Sequence, residues 1–315
     1  MKKIVTLGEI LVEIMAVDRG QSFRAPGTLV GPFASGAPAI FIDQVAKLGQ
    51  PCGIVSCVGD DDFGWLNIER LRGDGVDVSA IRVHPEQVTG SAFVRYQENG
   101  ERDFVFNIKN SACGHISMTE QAEKLLAGCD HFHIMGSSLF SFRIIDVIKK
   151  AIEIVKGNGG TVSFDPNIRK EMLNIPEMRA ALEFMLEYCD IFLPSGPEIS
   201  LLTEADDEET AIREILDMGV SSIVVKRGPK GSSYYDAERS VHGRSFPVEE
   251  LDPTGAGDCF GATYVTCRLQ GRSVEEALRY ANASGARTVT RKGPMEGASS
   301  FAELDAFIAS HEVAA

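Results

Sequence analysis

The sequence predicts an α/β fold, with a mostly parallel sheet, intervening helices and a small β-rich insertion. Three observations predict it. From about residue 119, apolar runs alternate regularly with amphipathic ones, the pattern of right-handed βαβ units. The strand-like runs, such as Ile223-Val224-Val225, are apolar throughout, as strands covered on both faces must be. Two stretches, about 14–34 and 90–110, are β-rich instead, and the second carries Glu98-Asn99-Gly100, a hairpin signal.

Ile4-Val5-Thr6-Leu7 reads as the first strand and ends at Gly8-Glu9. Residues 37–49 read as a helix stopped by Gly49. Gly53 to Gly59 is a strand, and the polar loop Asp60-Asp61-Asp62-Phe63-Gly64 caps a helix over 65–73. Ser91 to Tyr96 and Asp103 to Asn107 are the strands of the hairpin. Helix 119–127 then leads to strand 131–135, helix 143–157 to strand 161–165, helix 178–188 to strand 190–194, and helix 207–218 to strand 222–226. Helices 257–270, 274–291 and 301–310 close the chain. No repeat or linker interrupts this order, so 1–315 reads as a single domain whose two β-rich segments form a lid.

The chain has 315 residues, 44% hydrophobic and 24% charged, with a formal net charge of -14. That acidity argues against nucleic acid and anionic membrane as partners. The N-terminal apolar run is too short for a signal peptide and no run approaches a membrane span, so a cytoplasmic protein is expected. Seven scattered cysteines without a CxxC read as buried small residues, and His131 and His133, flanking Phe132, carry no metal-site spacing.

The chemistry concentrates in Asp252-Pro253-Thr254-Gly255-Ala256-Gly257-Asp258, followed by an apolar helix. A small-residue turn at a helix N-terminus leaves backbone N–H groups bare, which makes an anion site of Gly255, Ala256 and Gly257. Asp258 stands at that same terminus. An alcohol ionises far above neutrality, so an aspartate within hydrogen-bond reach must take its proton during phosphoryl transfer. Other polar clusters follow predicted strands, where open α/β sheets bind ligands: Asp165 to Arg169, Pro194 to Glu198 and Lys226 to Gly231. A dinucleotide oxidoreductase is disfavoured, because the turn lies late in the chain and lacks the GxGxxG spacing.

Two stretches, Ser35-Gly36-Ala37-Pro38-Ala39 through Asp60-Asp61-Asp62-Phe63-Gly64 and Asp252 through Ala262, resemble the ribokinase-like (PfkB) carbohydrate kinases. The resemblance runs along nearly the whole chain. It implies a three-layer α/β/α ribokinase-like core with a β-sheet lid, ATP and Mg2+ as cosubstrates, and homodimers formed through the lid. It also implies roles for individual residues. Asp258 is the base, and Gly255 to Gly257 form the anion hole. Glu198 acts on Mg2+ through water. Ser195 replaces the Asn of the same motif, Lys226, Gly228 and Gly231 face ATP, and Asn282 lies near the adenine. Asp252 and Thr254 match a monovalent-cation site, for K+, found in part of the family.

On the substrate side, Gly36 and Ala37 match the sugar loop, but Ile40 replaces the sugar-binding Asn and cannot hydrogen-bond a hydroxyl. Glu13 stands where the family often has Asp. Arg169 and Asn107 complete the candidate contacts. An acid sugar needs a cation for its carboxylate. The related 2-keto-3-deoxygluconate kinases carry a lid Arg where Asn107 stands here. The expectation is therefore a kinase acting on the terminal hydroxyl of a ketohexose, of fructose or tagatose type. A 2-keto-3-deoxygluconate kinase is the alternative, and a catalytically silent sugar sensor a distant one.

Overall fold

The computed structural model describes residues 1–98, 102–167, 176–203 and 205–312. Its strands are β1 (Ile4–Leu7), β2 (Leu11–Ala16), β3 (Leu29–Ser35), β4 (Cys52–Gly59), β5 (Ile81–His84), β6 (Gly90–Tyr96), β7 (Arg102–Asn107), β8 (His131–Met135), β9 (Thr161–Asp165), β10 (Ile191–Phe192), β11 (Ser222–Lys226), β12 (Ser232–Tyr235) and β13 (Ser240–Gly243). Its helices are α1 (Ala37–Lys47), α2 (Asp62–Asp74), α3 (Glu120–Ala127), α4 (Phe142–Gly157), α5 (Pro176–Glu187), α6 (Glu208–Asp217), α7 (Ala256–Leu269), α8 (Val274–Thr288) and α9 (Phe301–Glu312).

Among the described residues, nine strands form one sheet in the order β13-β12-β11-β10-β9-β8-β1-β4-β5. Every pair from β11 to β5 is parallel, and β12 and β13 add antiparallel to one edge. One face packs Leu126, Ile148, Leu182 and Ile212 of α3 to α6, and the other Phe41, Ile68, Val265 and Leu278 of α1, α2, α7 and α8. This is the three-layer arrangement expected. Burying each such side chain contributes about 1.5–3 kcal/mol. All seven cysteines are buried and free.

Differences from the sequence reading have local causes. α2 starts at Asp62, earlier than residue 65, because Asp61 caps it by accepting from Gly64 N–H at 2.8 Å. β5, β12 and β13 were not expected; they are short strands at the two margins of the sheet, too brief for a period to show. β10 keeps only Ile191–Phe192.

The second sheet has four strands in the order β3-β2-β6-β7. The two β-rich stretches thus join into one small sheet, whose first strand starts at Leu11. β2 leaves the core directly after β1, so the lid hangs over the end of the central strand.

Candidate active site

From β1 the sheet continues to β4 and β5 on one side and to β8 and later strands on the other. Such a reversal opens a crevice at the carboxyl ends of the strands. Glu9, only 2% exposed, lies just beyond β1 at that point. Its carboxylate accepts from Ser137 Oγ at 2.8 Å and Ser138 Oγ at 2.6 Å, beyond the end of β8. Gly36, at φ 113°, packs so tightly there that a Cβ would stand 2.4 Å from the Glu9 carbonyl oxygen. Ala37 follows as the first residue of α1.

Gly255 caps α7 in the left-handed region, at φ 81°. No side chain caps this helix, and its first intrahelical bond runs from Cys259 N–H to the Gly255 carbonyl at 2.9 Å. The amides of Gly257 and Asp258 are therefore left without an acceptor inside the helix, as an anion site requires. Ile40 supports this turn from behind: its Cγ2 lies 3.1 Å from where a Gly255 Cβ would be. The departure from the family pattern at Ile40 thus becomes packing under the nest. Asp258 keeps some access to solvent through the crevice. Burial by the surrounding protein, then repulsion from Asp165, pushes its carboxyl up to about 8, against the pull of Lys226.

Lys226 ends β11, is ion-paired with Asp165, and holds its Nζ 3.6 Å from the Cβ position of Gly257. Asp165 is 1% exposed, and its Oδ1 has no hydrogen-bond partner. Burial raises the Asp165 carboxyl to about 6, Lys226 opposing and Glu198 reinforcing the shift. Glu198 Oε2 accepts the Ser195 N–H at 2.6 Å, which closes the turn after β10. A buried carboxylate oxygen without a donor, beside Glu198 and under an anion nest, fits a magnesium ion brought in with phosphates.

Beside this cluster opens a cavity of about 860 Å³, lined by Ser195, Lys226, Gly228, Gly231, Gly257 and Asn282 among others. Its size suits a nucleotide. Gly231 needs its φ of 85°, and a Cβ there would stand 2.1 Å from the Gly243 carbonyl oxygen. Asn282 Nδ2 donates to Ser232 Oγ at 2.8 Å and the Leu278 carbonyl at 2.9 Å, leaving the side chain only its oxygen to offer.

The lid's inner face follows from its register. Tyr96 pairs with Arg102, and Ser91 with Asn107. Tyr96 OH donates to Asp252 Oδ1 at 3.1 Å and Arg102 Nη1 to Thr254 Oγ1 at 2.8 Å, so these two residues face the core. Successive side chains alternate between faces, and Asn107, five residues beyond Arg102, points the other way. Register thus places Asn107 on the face opposite Tyr96 and Arg102, away from the side expected for a sugar contact. Asn107→Arg is expected to leave the kcat/KM ratio between fructose and 2-keto-3-deoxygluconate unchanged, as a competition assay would show. Arg169 lies outside the described residues.

Glu13 pairs with Ala92 and so shares the inner face. It is 3% exposed, accepts from Ser35 Oγ at 3.3 Å, and leaves Oε1 without a partner. Burial, then repulsion from Asp252, pushes its carboxyl up to about 7, with Arg102 opposing. A raised carboxyl favours the neutral folded form. Its stabilising contribution is full below pH 4.5 and is lost as pH rises through about 7. Glu13→Gln is expected to flatten the fall of Tm between those values in the ligand-free protein, measured by calorimetry.

Asp252 Oδ1 accepts from Tyr96 OH, Thr254 N–H and Thr254 Oγ1, whereas Oδ2 takes only Gly293 N–H, at 3.0 Å. Oδ2 keeps a lone pair that fits a hard monovalent cation. The Thr254 hydroxyl is spent on Asp252 and Arg102.

The whole chain up to residue 300 matches the profile described as "pfkB family carbohydrate kinase". The chain belongs to that family. It is an ATP-dependent phosphotransferase acting on carbohydrate. "Probable fructokinase-3" of Arabidopsis thaliana is 33% identical over 303 residues, covering 92% of this chain and 86% of the relative. An E. coli structure named "putative Ribokinase II", in complex with ATP and Mg+2, is 57% identical with a TM-score of 0.94, covering 99% of this chain and 100% of that one. A variant fructokinase from Vibrio cholerae O395, solved with fructose, ADP and potassium ion, is 26% identical with a TM-score of 0.83, covering 98% of both chains.

The structure of this PfkB kinase gathers Asp258, Gly255 to Gly257, Lys226 and Glu198 at one rim, with Ser195, Gly228, Gly231 and Asn282 around the cavity beside it. Sequence reasoning passed over Glu9, Tyr96 and Arg102 and left Asp165 without a role. The alternation of β6 and β7 carried a signal for the lid pair, but register was needed to use it. His131 and His133 are buried and share hydrogen bonds with Thr161 and Ser163. Among the described residues, no group of three or more His, Cys, Asp and Glu side chains is arranged to hold a metal ion. No described helix is long and apolar enough to cross a membrane.

Proposed function

We propose that this chain transfers the γ-phosphoryl group of ATP to the terminal hydroxyl of a ketohexose of the fructose or tagatose type. The observation that carries the reading is Asp258 at the uncapped N-terminus of α7, beside a cavity of nucleotide size. Similarity to fructokinases supports the sugar class. Asp258 takes the hydroxyl proton as the bond to phosphorus forms. The amides of Gly257 and Asp258, with Lys226, stabilise negative charge on the moving group. Magnesium, held by Asp165 and Glu198 directly or through water, would neutralise the phosphate oxygens. Asp252 Oδ2 would hold potassium. Glu13, Gly36, Ala37 and Glu9 border the sugar. The protein works in the cytoplasm and pairs through its lid, where Val105 is 56% exposed on the outer face.

A coupled assay of ADP release over a panel of sugars tests the reading. Turnover is expected with fructose or tagatose. Turnover with 2-keto-3-deoxygluconate alone would replace the ketohexose, and tight sugar binding without turnover would mark a sensor. Light scattering that returns a monomer mass would remove the dimer.

A further inference from the structure

Lid and core meet through side chains that phosphoryl transfer itself does not use. Arg102, at the start of β7, donates to Thr254 Oγ1 at 2.8 Å. Tyr96, its partner across the hairpin, donates to Asp252 Oδ1 at 3.1 Å. On the core side, Thr254 donates to that same oxygen through its N–H at 3.1 Å and its hydroxyl at 2.7 Å. Asp252 thus ties Tyr96 of the lid to the turn that opens α7, and Thr254 ties Arg102 to the same turn.

That turn has little slack elsewhere. Thr254 precedes Gly255, whose missing Cβ would stand 2.4 Å from the Pro294 carbonyl oxygen. The loop carrying Pro294 is tied to Asp252 through Gly293 N–H at 3.0 Å. The nest is held from behind by this loop and from the front by the lid. A charged guanidinium bond is stronger and more directional than a neutral one. It leaves the Thr254 hydroxyl one direction for its own proton, toward Asp252. Arg102 also brings positive charge toward Asp258 and Glu13.

We infer that Arg102 and Tyr96 are positioning residues, whose bonds to Thr254 and Asp252 complete the anion hole when the lid is down. The inference rests on the reading of Gly255 to Gly257 as the phosphoryl site. It makes transfer conditional on a closed lid, so that ATP bound without sugar meets an unfinished site and water gains no advantage from it.

The experiment uses the full-length protein and measures kcat, KM for fructose and ATP, and ADP release without sugar. Arg102→Met is expected to lower kcat about 10–100-fold with KM for ATP unchanged, because the nest then holds the moving phosphoryl group less well while ATP still binds. The ratio of ADP release with and without sugar should fall by the same factor. Tyr96→Phe should lower kcat less, and Arg102→Lys should recover part of the loss. Adding Arg102→Met to Thr254→Val should cost nothing further, because the guanidinium acts through the Thr254 hydroxyl already removed. Merely structural roles would lower Tm and leave the losses independent. Normal kcat in Arg102→Met, or losses that multiply in the pair, overturns the inference. If Arg102→Met fails to fold, Tyr96→Phe and Thr254→Val decide by the same ratio. Asp258→Asn separates the two levels. Should that variant keep turning over, the phosphoryl site itself is misplaced; if it is inactive while the lid variants are normal, only this inference falls.

Discussion

Asp258→Asn is expected to lower kcat by about 10² or more while ATP binding and folding persist. The substitution keeps the shape of the side chain and removes its ability to take a proton. Among the described residues, the other carboxylates around Asp258 are engaged elsewhere. Glu9 is spent on two serines, Asp165 is paired with Lys226, and Glu198 closes a turn. The pH profile adds a second readout. The base must be ionised to act, and burial pushes its carboxyl up to about 8 in the ligand-free protein. The plot of log kcat/KM should therefore rise with pH on its acid side and level off near that value. The Asn variant should lose this limb. Near-normal turnover, or a limb that survives the substitution, would remove Asp258 from the role of base.

Gly255→Ala should be nearly as damaging, by a different route. A side chain at φ 81° costs about 1–2 kcal/mol from backbone sterics alone. The new Cβ would also stand 2.4 Å from the Pro294 carbonyl oxygen, so the turn or the loop must shift. A displacement near 1 Å at a reacting centre costs about 10² in rate. Gly257→Ala is the informative contrast. Its Cβ would meet only Lys226 Nζ, at 3.6 Å, an ordinary contact. That variant should keep its Tm and lose ATP affinity, since the methyl enters the space the phosphates need. Calorimetry and ATP titration of both variants separate the two effects. Equal Tm values for Gly255→Ala and wild type would show that the turn is looser than its packing indicates.

Much of this was legible along the chain. The parallel core was readable because buried strands are apolar throughout and amphipathic helices separate them. The nest and its base were readable because they are contiguous, and a helix N-terminus is a local structure. The lid was readable as a lid and not as a surface. Asn107 looked like a sugar contact by its place after Phe104 and Phe106, and strand pairing turns it outward. Ile40 looked like a missing sugar ligand and is a prop behind Gly255. Asp165 looked like one polar residue among several after a strand. Only burial and the ion pair with Lys226 set it apart.

The Asp252–Asp258 segment by itself determined the reaction, because donors and base lie within a few bonds of one another and local backbone geometry brings them together. Tertiary structure alone decided what surrounds that segment. Face selection in a strand has a period of two, so a register that no single strand encodes determines whether Arg102 or Asn107 meets the core. The contacts from Arg102 to Thr254 and from Tyr96 to Asp252 each span more than 150 residues of chain. Such contacts exist only once β2 and β6 have paired and carried the lid over the end of β1.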